Sequence, residues 1–213
     1  MKLYLCSKTA LRFYPCGAKF IKDYSTNVPE ALRNAFVDIH GKIIVVVDQQ
    51  KISEEEVWII LETKFVERLL SHLKKYLSLS GTTVEKIDSK KVYWDLETHQ
   101  LIVTDKAMPA VVSKEEFTLY RVQNNLPLQG VDYDEELVLN LADDSLVSYA
   151  KGCYLGQEIV ARVHYRGSPP KKLVVKSENE CSPEELGRMT SKVLDPVRGQ
   201  RAGFVFDKTP GEV

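Results

Sequence analysis

Hydrophobic positions alternate with polar ones over short stretches in the first half of the chain, the pattern of half-buried β-strands. The predicted strands cover residues 2–6, 10–14, 43–47, 57–61, 82–87, 92–96 and 101–104. Residues 36–39 and 42–48 flank His40-Gly41 and predict a β-hairpin with glycine at the turn. The run 43–47 is β-branched throughout, so we expect it to be a buried central strand.

A period of three to four residues predicts helices at four places. The clearest helix covers residues 64–79, whose leucines fall on one face, and a shorter helix covers 18–24. Ser113 begins another helix, with Glu116 three residues later in the spacing of a capping box. The fourth helix is predicted to start at Leu155.

A Gly-Ser-Pro-Pro breaker at 167–170 suggests a domain boundary. Three more strands are predicted after it, at 171–176, 189–194 and 202–206. Strands and helices mix without the regular alternation of a doubly wound sheet, so the predicted class is α+β. The chain then divides into a domain at 1–167 and a small β domain, a sheet or partial barrel, at 168–213.

Composition and charge narrow the function. The chain has 213 residues, of which 44% are hydrophobic and 28% charged, as in ordinary soluble globular proteins. The net charge is −1, so direct nucleic-acid binding is not expected. Residues 131–150 carry six acidic side chains and no Lys or Arg, whereas 151–176 carry six Lys or Arg and one Glu. This reversal suits an anionic ligand at a basic patch, but two solvated faces of opposite charge explain it equally well.

The four cysteines and four histidines are scattered, so no zinc site, redox pair or firmly bound metal is predicted. Unpaired cysteines fit a reducing cytosol, which predicts a cytoplasmic protein. The N-terminus has no apolar core of signal-peptide length, and no run approaches the length of a membrane span.

The sign of charge reverses at a motif dense in chemically active groups. The motif reads Lys151-Gly152-Cys153-Tyr154-Leu155-Gly156-Gln157-Glu158-Ile159-Val160-Ala161-Arg162. Its two glycines allow tight turns around the cysteine, and Glu158 and Arg162 have the spacing of a helical ion pair. A nearby lysine and a helix N-terminus favour the thiolate of Cys153 over the thiol. The alternative, a buried cysteine that acts as a small hydrophobe, stays open.

This motif closely resembles the signature of the YgfZ family, folate-binding proteins related to the aminomethyltransferase (T-protein) of the glycine cleavage system. The resemblance extends more weakly over most of the chain. It implies a folate-binding α+β domain followed by a C-terminal β-barrel. Family members are commonly longer, and the tail here is short for a complete barrel, so we expect a trimmed one.

The resemblance also implies roles for particular residues. Cys153 and Lys151 would be the reactive pair, and Gly152, Tyr154, Gly156, Gln157 and Glu158 would shape the motif. The residues expected to bind tetrahydrofolate are Phe117, Tyr120, Arg121, Gln123 and Arg162. Core packing is an equal alternative for the two aromatic residues.

Two departures from the aminomethyltransferase pattern matter. Gln123 stands where those enzymes carry a pterin-binding Glu, and it keeps a donor and an acceptor but no charge. Val45 and Val46 stand where those enzymes carry an acidic pair. Two valines cannot relay a proton, which argues against aminomethyl transfer.

The resemblance therefore implies a folate-binding auxiliary protein in iron–sulfur cluster assembly or repair, with a downstream effect on tRNA modification. Cys153 would act beside a tetrahydrofolate pocket, and the expected partners are iron–sulfur proteins or the cluster-assembly machinery. One alternative is a folate-dependent aminomethyl or C1 transferase. Another is a non-catalytic interaction protein that has lost ligand binding, so whether the chain is an enzyme stays open.

Overall fold

Three antiparallel sheets organise residues 1–208, the part of the chain that this computed structural model describes. The strands are β1 (Leu3–Leu5), β2 (Lys8–Tyr14), β3 (Arg33–Val37), β4 (Ile43–Lys51), β5 (Val57–Glu62), β6 (Thr83–Lys86), β7 (Lys91–Asp95), β8 (Gln100–Thr104), β9 (Lys171–Ser177), β10 (Thr190–Asp195) and β11 (Gln200–Lys208). Their orders are β3-β4-β5-β2-β6, β1-β7-β8 and β10-β11-β9.

The helices connect and cover these sheets. They are α1 (Gly17–Tyr24), α2 (Val66–Ser80), α3 (Lys114–Gln123), α4 (Gln157–Arg166) and α5 (Pro183–Arg188), with short 3-10 turns at Thr63–Phe65, Val138–Leu141, Asp144–Leu146 and Glu178–Glu180. None of the helices within residues 1–208 is long and apolar enough to cross a membrane.

One face of the five-stranded sheet is covered by α1 and α2. Leu69 and Leu73 of α2 are fully buried there, and they join Val45 of β4 and Phe20 of α1 in one hydrophobic core. The helical period of α2 therefore supplies the apolar face that its sequence pattern predicts.

The small β1-β7-β8 sheet lies against the other face. Ala10 of β2 and Ile60 of β5 pack there with Val92 of β7 and with Cys6, which follows β1. Val46 and Asp48 of β4 lie beyond this small sheet and line a cavity.

The C-terminal sheet shares its core with the rest of the chain. Leu173 and Phe204 of this sheet are buried together with Val122 of α3 and Val160 of α4. The predicted boundary after residue 167 falls between α4 and β9, and the division into two domains stays a prediction. Within residues 171–208 the sheet has three strands, and 209–213 lie outside the described residues.

The α+β class is confirmed, and the predicted strands and helices overlap observed ones. The strand before the β3–β4 turn is Arg33–Val37 rather than 36–39, because Asp38 already belongs to the turn, and α5 was not predicted. Ser113 caps α3 in a reciprocal capping box: its Oγ accepts from the Glu116 backbone N–H at 3.2 Å, and the Glu116 carboxylate accepts from the Ser113 N–H at 2.7 Å. The fourth predicted helix begins at Gln157 rather than Leu155. The reason is that Gly156 takes a left-handed conformation, with φ of 82°, and ends the preceding loop.

Candidate functional site

A cavity of about 600 Å³ opens on the side of the five-stranded sheet that α1 and α2 leave free. Pockets for small-molecule ligands commonly have volumes in this range. Its walls come from the ends of β1, β2, β4 and β5, from α3 and the loop after it, and from the start of β10. The lining residues are Tyr4, Cys6, Ser7, Lys8, Arg33, Val46, Val47, Asp48, Glu62, Lys64, Trp94, Lys114, Phe117, Thr118, Arg121, Leu126, Pro127, Leu128, Gln129, Val131, Tyr133, Ser191 and Lys192.

Aromatic rings form one wall of this cavity. The rings of Tyr4 and Phe117 stack at a centroid distance of 4.0 Å with an interplanar angle of 11°. Both residues are half-buried, as is Trp94, a third aromatic residue of the lining. Phe117 lies in the first turn of α3, which the Ser113 cap fixes. Such a wall suits a flat heterocycle.

A cluster of opposite charges forms a second wall. The Lys8 ammonium donates to Asp48 at 2.5 Å and lies 3.9 Å from the Glu62 carboxylate. Burial alone lowers the pKa of Lys8, but the Asp48 and Glu62 carboxylates outweigh it, so this pKa lies above the usual value. Burial, with some help from Asp48, raises the pKa of Glu62 against the opposing effect of Lys8. Burial also raises the pKa of the nearby Cys6 thiol to about 12, which keeps it protonated at neutral pH.

Arg121 ties the cavity to the C-terminal sheet. Its guanidinium donates to Asp132 at 2.6 Å and to the Ser191 hydroxyl at 2.7 Å, and both partners of the ion pair are buried. Asp132 also accepts from the backbone N–H of Leu128 at 2.8 Å, so the loop after α3 is fixed as well. Three exposed lysines, Lys64, Lys114 and Lys192, also line the cavity, and the Lys192 ammonium is paired with Glu178 at 2.5 Å.

Of the residues predicted to bind folate, Phe117 and Arg121 lie together at the cavity. Tyr120 is buried next to them, but its hydroxyl pairs with His99 Nδ1 at 2.5 Å, and it is absent from the cavity lining within the described residues. Gln123 is exposed and donates to Asp195 of β10 at 2.9 Å. The expected contact of Gln123 with the pterin is therefore not supported, because the end of α3 faces the C-terminal sheet.

Lys151 lies away from the thiol that it was expected to activate. Its Nζ donates to the backbone carbonyl oxygens of Ser25 and, at 3.3 Å, of Asn27. It also lies 4.7 Å from the centre of the Tyr154 ring. Burial lowers the pKa of Lys151 to about 8. The predicted polarisation of Cys153 by this ammonium is not supported, because the ammonium is engaged with the loop after α1.

Lys151 and Tyr154 nevertheless anchor the motif. Both side chains are buried on either side of Cys153, which is itself exposed. The thiol is thus presented to solvent by a loop that is held at two points, and the alternative of a buried Cys153 is wrong. Cys153 does not appear among the cavity-lining residues of the described chain, so its expected place beside the folate pocket is not supported either.

The two motif glycines differ sharply. A Cβ at Gly156 would lie 2.3 Å from the backbone oxygen of Asp38, in the turn between β3 and β4, and 3.1 Å from a Val37 methyl group. Gly152 has no positive φ, and a Cβ there would meet nothing within 4 Å. The turn that the sequence suggested at both positions is therefore required only at Gly156.

The rest of the motif forms the exposed start of α4. Glu158 and Arg162 form the predicted ion pair at 2.7 Å, and both are exposed. They lie with Tyr165 and Arg166 along a shallow surface cleft, outside the cavity. Arg162 is therefore placed away from Phe117 and Arg121. The backbone N–H of Gln157 donates to the Tyr154 carbonyl oxygen at 3.2 Å.

Sequence reasoning missed the charged wall of Lys8, Asp48 and Glu62. The available signal was a charged residue next to apolar strand positions: Lys8 begins β2, Asp48 follows the apolar run 43–47 within β4, and Glu62 ends β5. Charged residues at such partly buried positions are usually paired. No group of three or more His, Cys, Asp or Glu side chains within residues 1–208 is arranged to hold a metal ion.

This fold is that of an aminomethyltransferase. The structure superimposes on the crystal structure of glycine cleavage system aminomethyltransferase T from Bartonella henselae with a TM-score of 0.74, over 97% of this chain and 78% of that one. The sequences are 10% identical, so the likeness concerns the fold alone. The predicted fold class is thereby confirmed.

Relatives that share sequence carry a more particular name. The chain is 30% identical over 116 residues to the mitochondrial iron–sulfur cluster assembly factor IBA57 homolog of Dictyostelium discoideum, covering 50% of this chain and 28% of that protein. It is 32% identical over 82 residues to mitochondrial iron–sulfur cluster assembly factor IBA57 of Mus musculus, covering 34% and 23%. It is 25% identical over 174 residues to an uncharacterized protein of Haemophilus influenzae, covering 72% and 62%. The chain thus spans less than two thirds of each of these relatives, and no protein-family model matches it.

Proposed function

We propose that this chain is a folate-binding auxiliary protein of iron–sulfur cluster assembly, of the YgfZ type. The observation that carries the proposal is the cavity, which combines a stacked aromatic wall with cations in an aminomethyltransferase fold. The relatives named for iron–sulfur cluster assembly support the cellular role.

The residues of the cavity fit tetrahydrofolate. Phe117 and Tyr4 would hold the flat pterin ring, since their stacked rings already form an apolar wall. Lys114 would meet the anionic glutamate tail, because it is an exposed cation of the lining, whereas Lys192 is paired with Glu178 at 2.5 Å. Tetrahydrofolate carries one-carbon units on its ring nitrogens. Cys6 remains a neutral thiol at neutral pH and contributes packing rather than a nucleophile.

In this proposal Cys153 acts on a partner protein rather than on the bound folate. The thiol is exposed, and the loop that bears it is fixed by the buried side chains of Lys151 and Tyr154. A rigidly presented thiol suits transient contact with an iron–sulfur protein or with the assembly machinery. Effects on tRNA modification then follow indirectly, through the cluster enzymes that perform it.

The test is complementation of a strain that lacks this protein, with the activities of several iron–sulfur enzymes as the readout. We expect Cys153→Ser and Phe117→Ala to lower these activities, and Cys181→Ser to leave them unchanged. Cys181 serves as a matched control because it lies in the C-terminal region and outside the cavity lining. Full complementation by both Cys153→Ser and Phe117→Ala would refute the proposal.

One observation favours a second candidate, folate-dependent C1 transfer. Asp48 lines the cavity, so a carboxylate is present even though Val45 and Val46 replace the expected acidic pair. Against this, Asp48 is neutralised by the Lys8 ammonium at 2.5 Å. Formation of methylenetetrahydrofolate from an aminomethylated lipoyl carrier, lost in Asp48→Asn, would establish this candidate. The third possibility, a protein that has lost ligand binding, predicts a pocket filled by side chains, whereas the cavity here is open.

A further inference from the structure

Glu62 differs from Asp48, the other acidic residue in the cavity wall. Its side chain is 17% exposed and lines the cavity, yet neither carboxylate oxygen accepts a hydrogen bond from any residue between 1 and 208. The nearest cation, Lys8, lies 3.9 Å away, beyond hydrogen-bond distance. Lys8 stands opposite Glu62 in the pairing of β2 with β5, but its ammonium donates to Asp48 instead.

A half-buried carboxylate without donors is costly, because the protein has removed part of its water without replacing the hydrogen bonds. Asp48, the other acidic residue of the lining, is satisfied by Lys8. Glu62 therefore keeps acceptor capacity that faces the cavity. A ligand with two adjacent N–H groups would satisfy both oxygens at once, the arrangement that makes bidentate charge-assisted hydrogen bonds strong.

The residue expected to contact the pterin is engaged elsewhere. Gln123 donates to Asp195 Oδ1 and is exposed to solvent, on the side of α3 that faces the C-terminal sheet. The cavity thus lacks the residue that was expected to hydrogen-bond the edge of the heterocycle, and it contains the Glu62 carboxylate of β5 without a donor.

We propose that Glu62 accepts hydrogen bonds from the 2-amino group and the adjacent ring N–H of a 2-amino-4-oxopteridine. This assignment rests on the proposed folate binding, and it makes Glu62 the residue that selects the heterocycle. Tyr4 and Phe117 pack against the face of the ring, and Glu62 accepts hydrogen bonds from its edge.

The test compares two ligands on two variants of the full chain by anaerobic titration calorimetry. The ligands are tetrahydrofolate and its 2-desamino-2-methyl analogue, which lacks one of the two donors. The variants are Glu62→Gln and the control Glu55→Gln, which makes the same change of charge at an exposed position outside the cavity lining. Thermal melting checks that each variant is folded.

We expect the unmodified chain to prefer tetrahydrofolate over the analogue by about tenfold, and Glu62→Gln to weaken tetrahydrofolate binding by about 10- to 100-fold. The preference between the ligands should shrink below about threefold in Glu62→Gln and persist in Glu55→Gln. If Glu62→Gln fails to fold, Glu62→Asp and the ligand preference of the unmodified chain decide the question.

Two negative results are distinguishable. A chain that binds tetrahydrofolate and its analogue equally, or whose tetrahydrofolate affinity Glu62→Gln leaves unchanged, overturns the role of Glu62 alone. A chain that binds neither ligand overturns the proposed folate binding as well.

Discussion

The motif loop should depend on Gly156 for its position against the turn between β3 and β4. Gly156→Ala imposes two costs. The left-handed conformation disfavours a residue with a Cβ by about 1–2 kcal/mol. The new methyl group would also lie 2.3 Å from the Asp38 carbonyl oxygen, and overpacking of that kind costs about 1–3 kcal/mol. Together we expect a loss of about 2–5 kcal/mol in the free energy of unfolding.

Asp38 has little freedom to yield. Its backbone oxygen accepts from the Gly41 N–H at 3.0 Å, and its carboxylate accepts from the N–H groups of His40 and Lys42 at 2.8 and 2.9 Å. Moving this carbonyl therefore disturbs the whole turn, which is why relaxation should not remove the clash.

Urea unfolding monitored by circular dichroism measures this loss, and the slope of the transition shows whether the folded state has changed. Gly152→Ala is the matched control from the same motif. Its Cβ would meet open space, so we expect a change within about 0.5 kcal/mol. The reasoning is refuted if Gly156→Ala is as stable as the unmodified chain, or if the two substitutions cost the same.

Three further predictions concern stability and pH. Arg121→Ala should lower the free energy of unfolding in urea by about 3–5 kcal/mol, because it leaves Asp132 buried without its ion-pair partner. The control Arg166→Ala, at an exposed position, should cost less than about 0.5 kcal/mol. Equal losses in the two variants would contradict the role of the ion pair. Burial lowers the pKa of Lys151 in the folded chain to about 8, below the usual lysine value of 10.5. Between these two pH values the unfolded chain holds a proton on Lys151 that the folded chain has lost, so the stability should rise with pH across that window. Melting temperatures at pH 7.5 and 9.5 should show this rise in the unmodified chain relative to Lys151→Met, and an identical pH response of the two would contradict it. Ser113→Ala removes the cap of α3 and should cost about 1 kcal/mol; a melting temperature equal to that of the unmodified chain would show that the cap contributes nothing.

Much of the fold could be predicted because its signals are local. The β-branched run in β4 and the apolar face of α2 are visible within single stretches of sequence, and the capping box at Ser113 sets the start of α3. The position of Phe117 in the first turn of α3 follows from where the helix starts. These features depend on neighbours in the chain, which a sequence displays directly.

The charged wall could not be predicted in the same way. Lys8, Asp48 and Glu62 belong to three strands, and only the pairing of those strands brings them together. For Lys151 the sequence predicted a contact, with Cys153, that the structure does not show. It is close to Cys153 in sequence, but its long side chain reaches the loop after α1, so adjacency in the chain did not indicate which group its charge would meet. The exposed thiol and the cavity are therefore separate features of the surface.

Calorimetric titration of the full chain with tetrahydrofolate, with Phe117→Ala and Tyr165→Ala as companions, tests the central claim most directly. Phe117 forms the aromatic wall of the cavity, while Tyr165 is an exposed aromatic residue on α4, outside the lining. The account predicts saturable binding of one molecule per chain, weakened by about tenfold in Phe117→Ala and unchanged in Tyr165→Ala. Absence of binding, or equal affinity of the unmodified chain and Phe117→Ala, would contradict it.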